Sequence, residues 1–391
     1  MLFEVPELPL PFLQVIDIIN DLRKNLRFAT SDQLNRWHGF LARMSYAKAI
    51  QQSNAIEGIN ATFDDAVAAV DDEAPQNPDD ENYRALLGYR DAMNYIIQLS
   101  KERPPHNHNL GTMHSLHFMI TKYDLAKMPG RIRNGSVRVL NSETGSTVYE
   151  GPDAALVPGL LDELIAFLNG HKDCNVLIKA AMGHLNLTMI HPYKDGNGRM
   201  ARALQTFVLA QEGILDPRFS SIEEYVGGHS ADYYRVLAEV GQGSWNPDRS
   251  ALPWIKFCLR AHHWQATALL RRLEQSASIW NLLIERVKDC GLHERTMNAL
   301  LKAAYNIRVR NPSYRQESDI SVQVAKIDLK ALVSCGLLEA KGERRGRFYV
   351  ASPQLRALRQ QSRIKYDVHD PFQELPSDLA PIPRAFFGDE G

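Results

Sequence analysis

The chain has 391 residues, of which 44% are hydrophobic and 23% charged, and its formal net charge is −1. That length suits about two or three domains of ordinary globular composition, and the charge balance excludes a uniformly basic nucleic-acid coat. Four widely spaced cysteines (Cys174, Cys258, Cys290, Cys335) form no C-x-x-C pair, so they read as reduced, mostly buried thiols rather than a zinc site or disulfide frame. The start lacks a basic stretch followed by an apolar core, and no apolar run is long enough to span a bilayer. No membrane partner is expected, and the cytoplasm is the expected compartment.

Met1 to about Pro11 is Pro-rich and reads as extended chain lying across a domain surface. From Phe12, the spacing of Val15, Ile16, Ile18, Ile19 and Leu22 predicts a helix, and Ser31 to Met44 predicts a second, with Ser31 as its N-cap. In Ser53-Asn54-Ala55-Ile56-Glu57-Gly58, Ser53 and Glu57 are one helical turn apart, and Gly58 reads as the stop. A glutamate there faces the negative end of a helix and would gain from an external cation; taken alone, it reads as an exposed residue of a last turn. Thr62 caps a further helix with Asp64 and Asp65 in its first turn. Asp71 to Asn82 is acidic with two prolines and reads as a solvated loop. Tyr83 to Ser100 predicts an amphipathic helix with Leu86, Leu87, Tyr89, Met93, Ile96 and Ile97 inward. His106, His108, His114 and His117 lack a Cys or carboxylate at ligand spacing, so loop and packing roles are expected.

Lys127 to Glu150 changes character. Val137-Arg138-Val139-Leu140 and Thr147-Val148-Tyr149 flank Asn141-Ser142-Glu143-Thr144-Gly145-Ser146, the pattern of a β-hairpin. Pro152 to Asn169 predicts a helix. Val176 to Ile190 predicts a buried one, with His184 as a core histidine holding a partner.

Then comes His191-Pro192-Tyr193-Lys194-Asp195-Gly196-Asn197-Gly198-Arg199-Met200-Ala201-Arg202, a short loop that opens a helix. Gly196 and Gly198 allow positive φ, so the amides of Gly196, Asn197 and Gly198 make an anion cradle at a helix N-terminus. His191 can accept a proton near neutral pH. Asp195 is a hard oxygen ligand suited to Mg²⁺, which usually arrives with phosphates. Arg199 and Arg202 share a helix face and can clamp phosphate oxygens. A base, a ligand for a Mg²⁺ cofactor, an anion cradle and two cations are the equipment of phosphoryl or nucleotidyl transfer from a nucleotide. A helix follows at Asp232 to Leu237, and a long one from Leu252 to Leu269 or beyond.

From about Leu292 the pattern shifts. Thr296 to Ala304 and Ser321 to Cys335 predict helices, the latter with Val324, Ile327, Ala331, Leu332 and Cys335 inward and Gly336 as its stop. Leu337 to Ala340 and Arg347 to Val350 flank the basic Lys341-Gly342-Glu343-Arg344-Arg345-Gly346. A helix followed by a basic-tipped hairpin resembles a winged helix-turn-helix, whose wing (Lys341, Arg344, Arg345, Arg347) could touch phosphates. DNA is therefore a partner the sequence allows without favouring it over a protein-docking or dimerising role. The tail after Ser362 reads as polar and poorly packed.

The active loop resembles the signature of the Fic family, HPFxDGNGRxxR, with Tyr193 for the phenylalanine. The resemblance implies a mainly α fold: a Fic-type helical domain with a β-hairpin flap, and a C-terminal winged helix-turn-helix-like domain. Residues 1–100 would form a helical region carrying an inhibitory motif, 101–273 the catalytic core, 274–355 the winged-helix-like domain and 356–391 a polar tail. Ser53, Glu57 and Gly58 fit the family's inhibitory motif (S/T)xxxE(G/N), which implies that Glu57 pairs with Arg202 and blocks seating of the ATP γ-phosphate. Val137, Arg138, Val139 and Leu140 fall where the family's flap docks a target segment beside the nucleotide. Tyr233 and Tyr234 match a tyrosine pair that contributes to the adenine pocket, although the Asn of some relatives is replaced by Gly241-Gln242-Gly243.

What this implies is AMP transfer from ATP to a Ser, Thr or Tyr hydroxyl of a target protein, with self-modification and a homodimer both compatible. His191 would take the hydroxyl proton. Doc-type kinases carry Lys where Gly198 stands, which argues for AMP transfer. AMP removal or another phosphoryl or nucleotidyl transfer is the alternative within the class. An ATP-sensing transcriptional regulator that binds DNA through the wing is the alternative outside it.

Overall fold

The computed structural model describes residues 1–29, 38–73, 80–140, 144–170, 174–343, 346–363 and 368–373. The N-terminal region supplies α1 (Leu10–Ala29), α2 (His38–Ala55), α3 (Phe63–Val70) and α4 (Glu81–Leu99). Then follow α5 (Leu110–Thr121), the strands β1 (Arg138–Leu140) and β2 (Thr147–Glu150), α6 (Val157–Gly170), α7 (Val176–Ile190) and α8 (Asn197–Glu212). The short α9 (Pro217–Ser220) and α10 (Glu223–Gly228) lead to α11 (Ser230–Gly241), β3 (Gly243–Ser244) and the long α12 (Leu252–Asp289). The C-terminal module is built from α13 (Met297–Ala304), α14 (Asn311–Ser318), α15 (Val322–Ser334), β4 (Leu338–Lys341), β5 (Phe348–Ala351) and α16 (Pro353–Gln361).

The helix α7 is apolar around its whole circumference and buried on nearly every side, as a helix at the centre of a bundle must be. It packs against α6, α8 and α12. Its His184 has the partners a buried imidazole needs, Gln205 Oε1 at 2.6 Å and the Tyr233 hydroxyl at 3.1 Å, and burial pushes its pKa down to about 3. The N-terminal strap is extended as expected, with Phe3 edge-on to Trp245 and its N–H on Asn186.

Several expectations are corrected. The helix after the active loop starts at Asn197, because Gly196 itself makes the left-handed entry turn. The acidic stretch after α3 is not simply solvated. Asp71 is nearly buried against Lys302, and Glu73 pairs with Arg310 at 3.0 Å. In α15 the inward residues are Ala325, Asp328, Leu329 and Leu332, while Ile327 is 58% exposed. The apolar count there places the stripe one residue off, because Asp328 is an inward charge held by Arg295 and Tyr314. Helices α14 and α16 had no clear sequence signal. Beyond Ser362 the chain is not all loosely packed, since Asp370 bonds Arg260 and Phe372 lies edge-on to Phe12. Of the cysteines, only Cys258 is fully buried. The proposed N-cap Ser31, the hairpin tip 141–143 and the wing residues Arg344 and Arg345 lie outside the described residues. Among the described residues no helix is long and apolar enough to cross a membrane.

Candidate functional site

Helix α7 ends at Ile190, and His191 takes the left-handed conformation (φ 50°, ψ 58°) as its cap. This turn swings the imidazole off the helix. Its Nδ1 lies 3.1 Å from the Thr188 carbonyl, which assigns the proton to Nδ1 and leaves Nε2 as the acceptor. Burial holds the His191 pKa below the ordinary histidine value, so at neutral pH the ring is a free base. Arg133 fastens the turn: its guanidinium donates to the carbonyls of His191 (2.8 Å), Pro152 (2.6 Å) and Gly135 (2.6 Å), and its N–H to Pro192 (2.9 Å).

The loop behind His191 is held from both faces. Tyr193 is buried, stacks on His117 at 3.7 Å and bridges to Ile132 as an antiparallel β-pair. His117 also reaches the Asp195 carbonyl through Nε2 (2.8 Å) and accepts the Gly130 N–H on Nδ1 (2.9 Å). The Asn197 side chain both accepts from and donates to the Tyr193 backbone at 2.9 Å. Both ends of its side-chain amide therefore shape the loop. Gly196 sits at φ 77°, and a Cβ there would meet the Thr121 side chain at 2.6 Å, so both conformation and space require glycine.

The result is a helix N-terminus without a side-chain cap, whose first amides point outward with the positive end of the dipole behind them. Arg199 and Arg202 are buried at this end, and Arg199 Nε and Nη1 and Arg202 Nη1 have no hydrogen-bond partner among the described residues. Buried donors left unpaired cost about 1–3 kcal/mol each, and an anion placed here would satisfy them. Asp195 faces the rim. Its Oδ2 pairs with Lys127 at 2.9 Å and its Oδ1 accepts the Gly196 N–H at 2.5 Å. Burial alone would raise its pKa, but Lys127 and Arg199 bring it below the usual carboxylate value. No cluster of three or more metal-ligating side chains occurs among the described residues. One carboxylate at a phosphate cradle fits Mg²⁺, which takes most of its ligands from water and phosphate.

On the other side of the cradle, α2 ends at Ala55 and the chain turns back at Gly58 (φ 76°). Glu57 therefore sits in the turn just past the helix rather than on it. Arg202 donates through Nε to Ser53 Oγ (2.9 Å) and through Nη2 to the Ser53 carbonyl (2.8 Å) and Glu57 Oε1 (2.8 Å). The Glu57 carboxylate lies against Gly198, where an added Cβ would collide with it. The tyrosine pair divides. Tyr233 is 1% exposed, bonded to His184 and beneath the Arg202 guanidinium, so it is a core residue. Tyr234 is 48% exposed and donates to the Ile56 carbonyl at 2.9 Å, so it alone of the pair faces outward, next to the Glu57 turn. Gln242 caps α11 in the left-handed conformation.

The hairpin pairs Arg138 with Glu150, Val139 with Tyr149 and Leu140 with Thr147, and β3 adds in parallel to β2. The order β1-β2-β3 leaves the outer edge of β1 unpaired by any described strand. Val137 accepts the Gly151 N–H, Arg138 reaches Glu150 at 3.3 Å, and Leu140 is exposed. Tyr149 ties the hairpin to the end of α7 by donating to the Met189 carbonyl at 2.8 Å.

Sequence reasoning missed Arg133, Lys127 and the buried Glu223, and gave His117 only a generic packing role. Arg133 and Lys127 lie in a stretch read for strand pattern alone, where a cation has no distinguishing signal. Glu223 follows a Ser-Ser-Ile run that offers no helical period, so its burial is legible only in three dimensions.

Residues 109–209 match the Fic/DOC family. A probable protein adenylyltransferase of Aquifex aeolicus is 32% identical over 78 residues, 20% of this chain and 24% of that protein. The protein adenylyltransferase Fic of Nematostella vectensis is 26% identical over 259 residues, 63% of this chain and 52% of that protein. The chain thus spans 24% and 52% of the lengths of these two relatives. Among solved structures, a Fic family protein from Desulfovibrio desulfuricans aligns with TM-score 0.57 at 20% identity, covering 89% of this chain and 98% of that one. Fic-1 from Caenorhabditis elegans aligns with TM-score 0.53 at 17% identity, covering 68% and 73%. These structural likenesses show a shared fold.

Proposed function

We propose, from the premise that residues 109–209 of this chain are a Fic/DOC family domain, that the chain is a protein adenylyltransferase restrained by Glu57. His191 Nε2 accepts the proton of a target Ser, Thr or Tyr hydroxyl. That oxygen attacks the α-phosphate of ATP, the bond to the β-phosphate breaks, and pyrophosphate leaves. The outward amides of α8 receive the charge that develops on the phosphates, while Arg199 and Arg202 orient the β- and γ-phosphates. Asp195 would hold Mg²⁺, which when bound neutralises phosphate charge. The target segment adds to the open edge of β1, which keeps Val137, Arg138, Val139 and Leu140 in their expected role. On the nucleotide's base side, Tyr234 is the exposed aromatic.

The observation that carries the reading is the Glu57 carboxylate resting against Gly198 and paired with Arg202, whose Nη1 has no partner among the described residues. An anion already present at an anion site is a competitor for phosphate. Glu57 therefore acts as the restraint, with Ser53 steadying Arg202 and Gly58 providing the turn. The regulator reading is less well supported, because Lys302, Arg308 and Arg310 of the C-terminal module face Asp64, Asp71 and Glu73 of the N-terminal region. The cytoplasm remains the proposed compartment.

The test is incubation of wild type, Glu57→Gly and Glu57→Gly/His191→Ala with α-labelled ATP and Mg²⁺. Labelled protein, the chain itself included, is expected in the Glu57→Gly protein only. Equal labelling of wild type would remove Glu57 as a restraint. No labelling in any variant that binds ATP would refute AMP transfer.

A further inference from the structure

Lys127 is a cation at the cradle rim to which neither the loop signature nor the inhibitory motif gives a role. It is not a free surface lysine. It ends a single 3-10 turn, Leu125–Lys127, capped by the Asp124 side chain and closed by Met128 in the left-handed conformation. The active loop holds this turn through Lys194, which donates to the Ala126 carbonyl at 3.0 Å, and just beyond the turn the Gly130 N–H donates to His117 of α5 at 2.9 Å. The Lys127 ammonium is thereby aimed inward. It donates to the Tyr123 hydroxyl at 2.7 Å, lies over the Tyr123 ring, and pairs with Asp195 Oδ2 at 2.9 Å. Its side chain is 22% exposed. The same Tyr123 hydroxyl accepts from Arg199 Nη2 at 3.2 Å. Lysine, tyrosine, arginine and aspartate thus form one closed cluster at the carboxylate expected to meet the metal.

We propose that Lys127 is a positioning residue for the metal–nucleotide pair: it occupies Asp195 as an internal counter-cation, excludes a lone divalent ion, and yields the carboxylate only to a metal that arrives on a polyphosphate. The inference rests on the reading of Asp195 as the metal ligand of a nucleotide site. Lys127 and Arg199 together already outweigh the single charge of Asp195. A bare divalent cation at that carboxylate, whose side chain is 42% exposed, would have to displace the ammonium and then sit beside two positive groups, whose repulsion solvent screens only in part. A metal carrying a nucleoside polyphosphate brings more negative than positive charge, and the displaced ammonium finds phosphate oxygen in place of Asp195. The anchor on Tyr123 keeps it within reach. The device makes metal and nucleotide enter as a unit, which prevents the cation from holding the cradle in an unproductive state.

The test uses the full chain and Mn²⁺ as a spectroscopic probe, with free Mn²⁺ followed by electron paramagnetic resonance. In the absence of nucleotide, Lys127→Met and Lys127→Gln are expected to bind Mn²⁺ about ten-fold tighter than wild type. Lys127→Arg should stay at the wild-type level, and Lys127→Met/Asp195→Asn should lose the gain. With ADP present, the gap between wild type and Lys127→Met should shrink to less than about three-fold. Equal lone-metal affinity in wild type and Lys127→Met overturns the proposal, as does a gain that survives Asp195→Asn. The lone-metal arm contains no nucleotide, so its result stands apart from the transferase reading, which falls separately if the labelling experiment fails.

Discussion

Arg202 gives one guanidinium nitrogen to Glu57 at 2.8 Å and leaves another without a partner beside Gly198. The pair is therefore incomplete on its open side, which is where a phosphate oxygen would complete it. The Glu57 carboxylate is also the group that a side chain at Gly198 would strike.

That contact predicts a change of sign. In an otherwise wild-type chain, the methyl of Gly198→Ala meets the carboxylate, pushes it aside and weakens its pair with Arg202, so the substitution should destabilise. In the Glu57→Gly background the hard clash is gone and only the flexible end of Arg202 lies near, its Nη1 at 3.3 Å, so alanine should stabilise the first turn of α8 by up to about 1 kcal/mol, the usual helix preference over glycine. A double-mutant cycle by chemical denaturation should give a coupling of about 1–2 kcal/mol. Additivity within about 0.5 kcal/mol would mean that Glu57 does not occupy the cradle in solution.

The second prediction concerns pH. Burial lowers the His191 pKa from its ordinary value, so the base is fully available at neutral pH and is lost by protonation only on acidification. AMP transfer by Glu57→Gly should be flat from about pH 7 to 8 and fall with unit slope at a midpoint below about 6.5. A midpoint above pH 7 would contradict the buried, neutral imidazole.

Much of this site could be read from the chain because its chemistry is local. The residues from His191 to Arg202 are contiguous, and each role follows from residue type and spacing. Glu57 and Arg202 are 145 positions apart, and only the resemblance to a family joined them. Tyr233 and Tyr234 show the limit of the method: adjacent and chemically identical in sequence, one is core and the other exposed, because α11 presents them to opposite surroundings. The same limit explains α15, where an inward Asp328 mimics a polar surface position. Arg133 and His117 escaped because they act by bonding distant backbone carbonyls and amides, for which a sequence has no period or motif.

A third prediction tests how the C-terminal module is fastened. Lys302 is 3% exposed and pairs with Asp71 and Glu317, both nearly buried. Lys302→Met would leave Asp71 without its cation and Glu317 with only Arg43 at 3.7 Å in a poorly solvated place, so a loss of about 3–5 kcal/mol is expected in urea or guanidinium unfolding. Adding Asp71→Asn and Glu317→Gln should recover most of it, since the cost lies in unpaired charge rather than lost volume. A single-variant loss under about 1 kcal/mol would place these groups in contact with water.

The fourth prediction isolates Glu223. Its carboxyl is 1% exposed. It accepts from the Tyr89 hydroxyl at 2.9 Å, faces the Arg202 charge, and leaves its second oxygen without a partner among the described residues. Burial, only partly opposed by Tyr89 and Arg202, pushes its pKa up from 4.5 to about 7. Below about pH 4.5 folded and unfolded chains both hold the proton. Between 4.5 and about 7 the unfolded chain has lost it while the folded one keeps it, so this group lowers stability as pH rises. Above pH 7 both are ionised and the full penalty remains. Glu223→Gln keeps an acceptor for Tyr89 and has no charge to bury. It should match wild type near pH 4.5 and exceed it by an amount that grows to on the order of 3 kcal/mol by pH 8. Buried His184, with its pKa at about 3, and His117, at about 4, have the opposite slope, stabilising as pH rises toward the ordinary histidine value. They are common to both proteins, so they cancel in the difference between the two stability curves. A difference that does not vary with pH would mean that Glu223 titrates as an ordinary carboxyl, and that the charge behind Arg202 is present throughout.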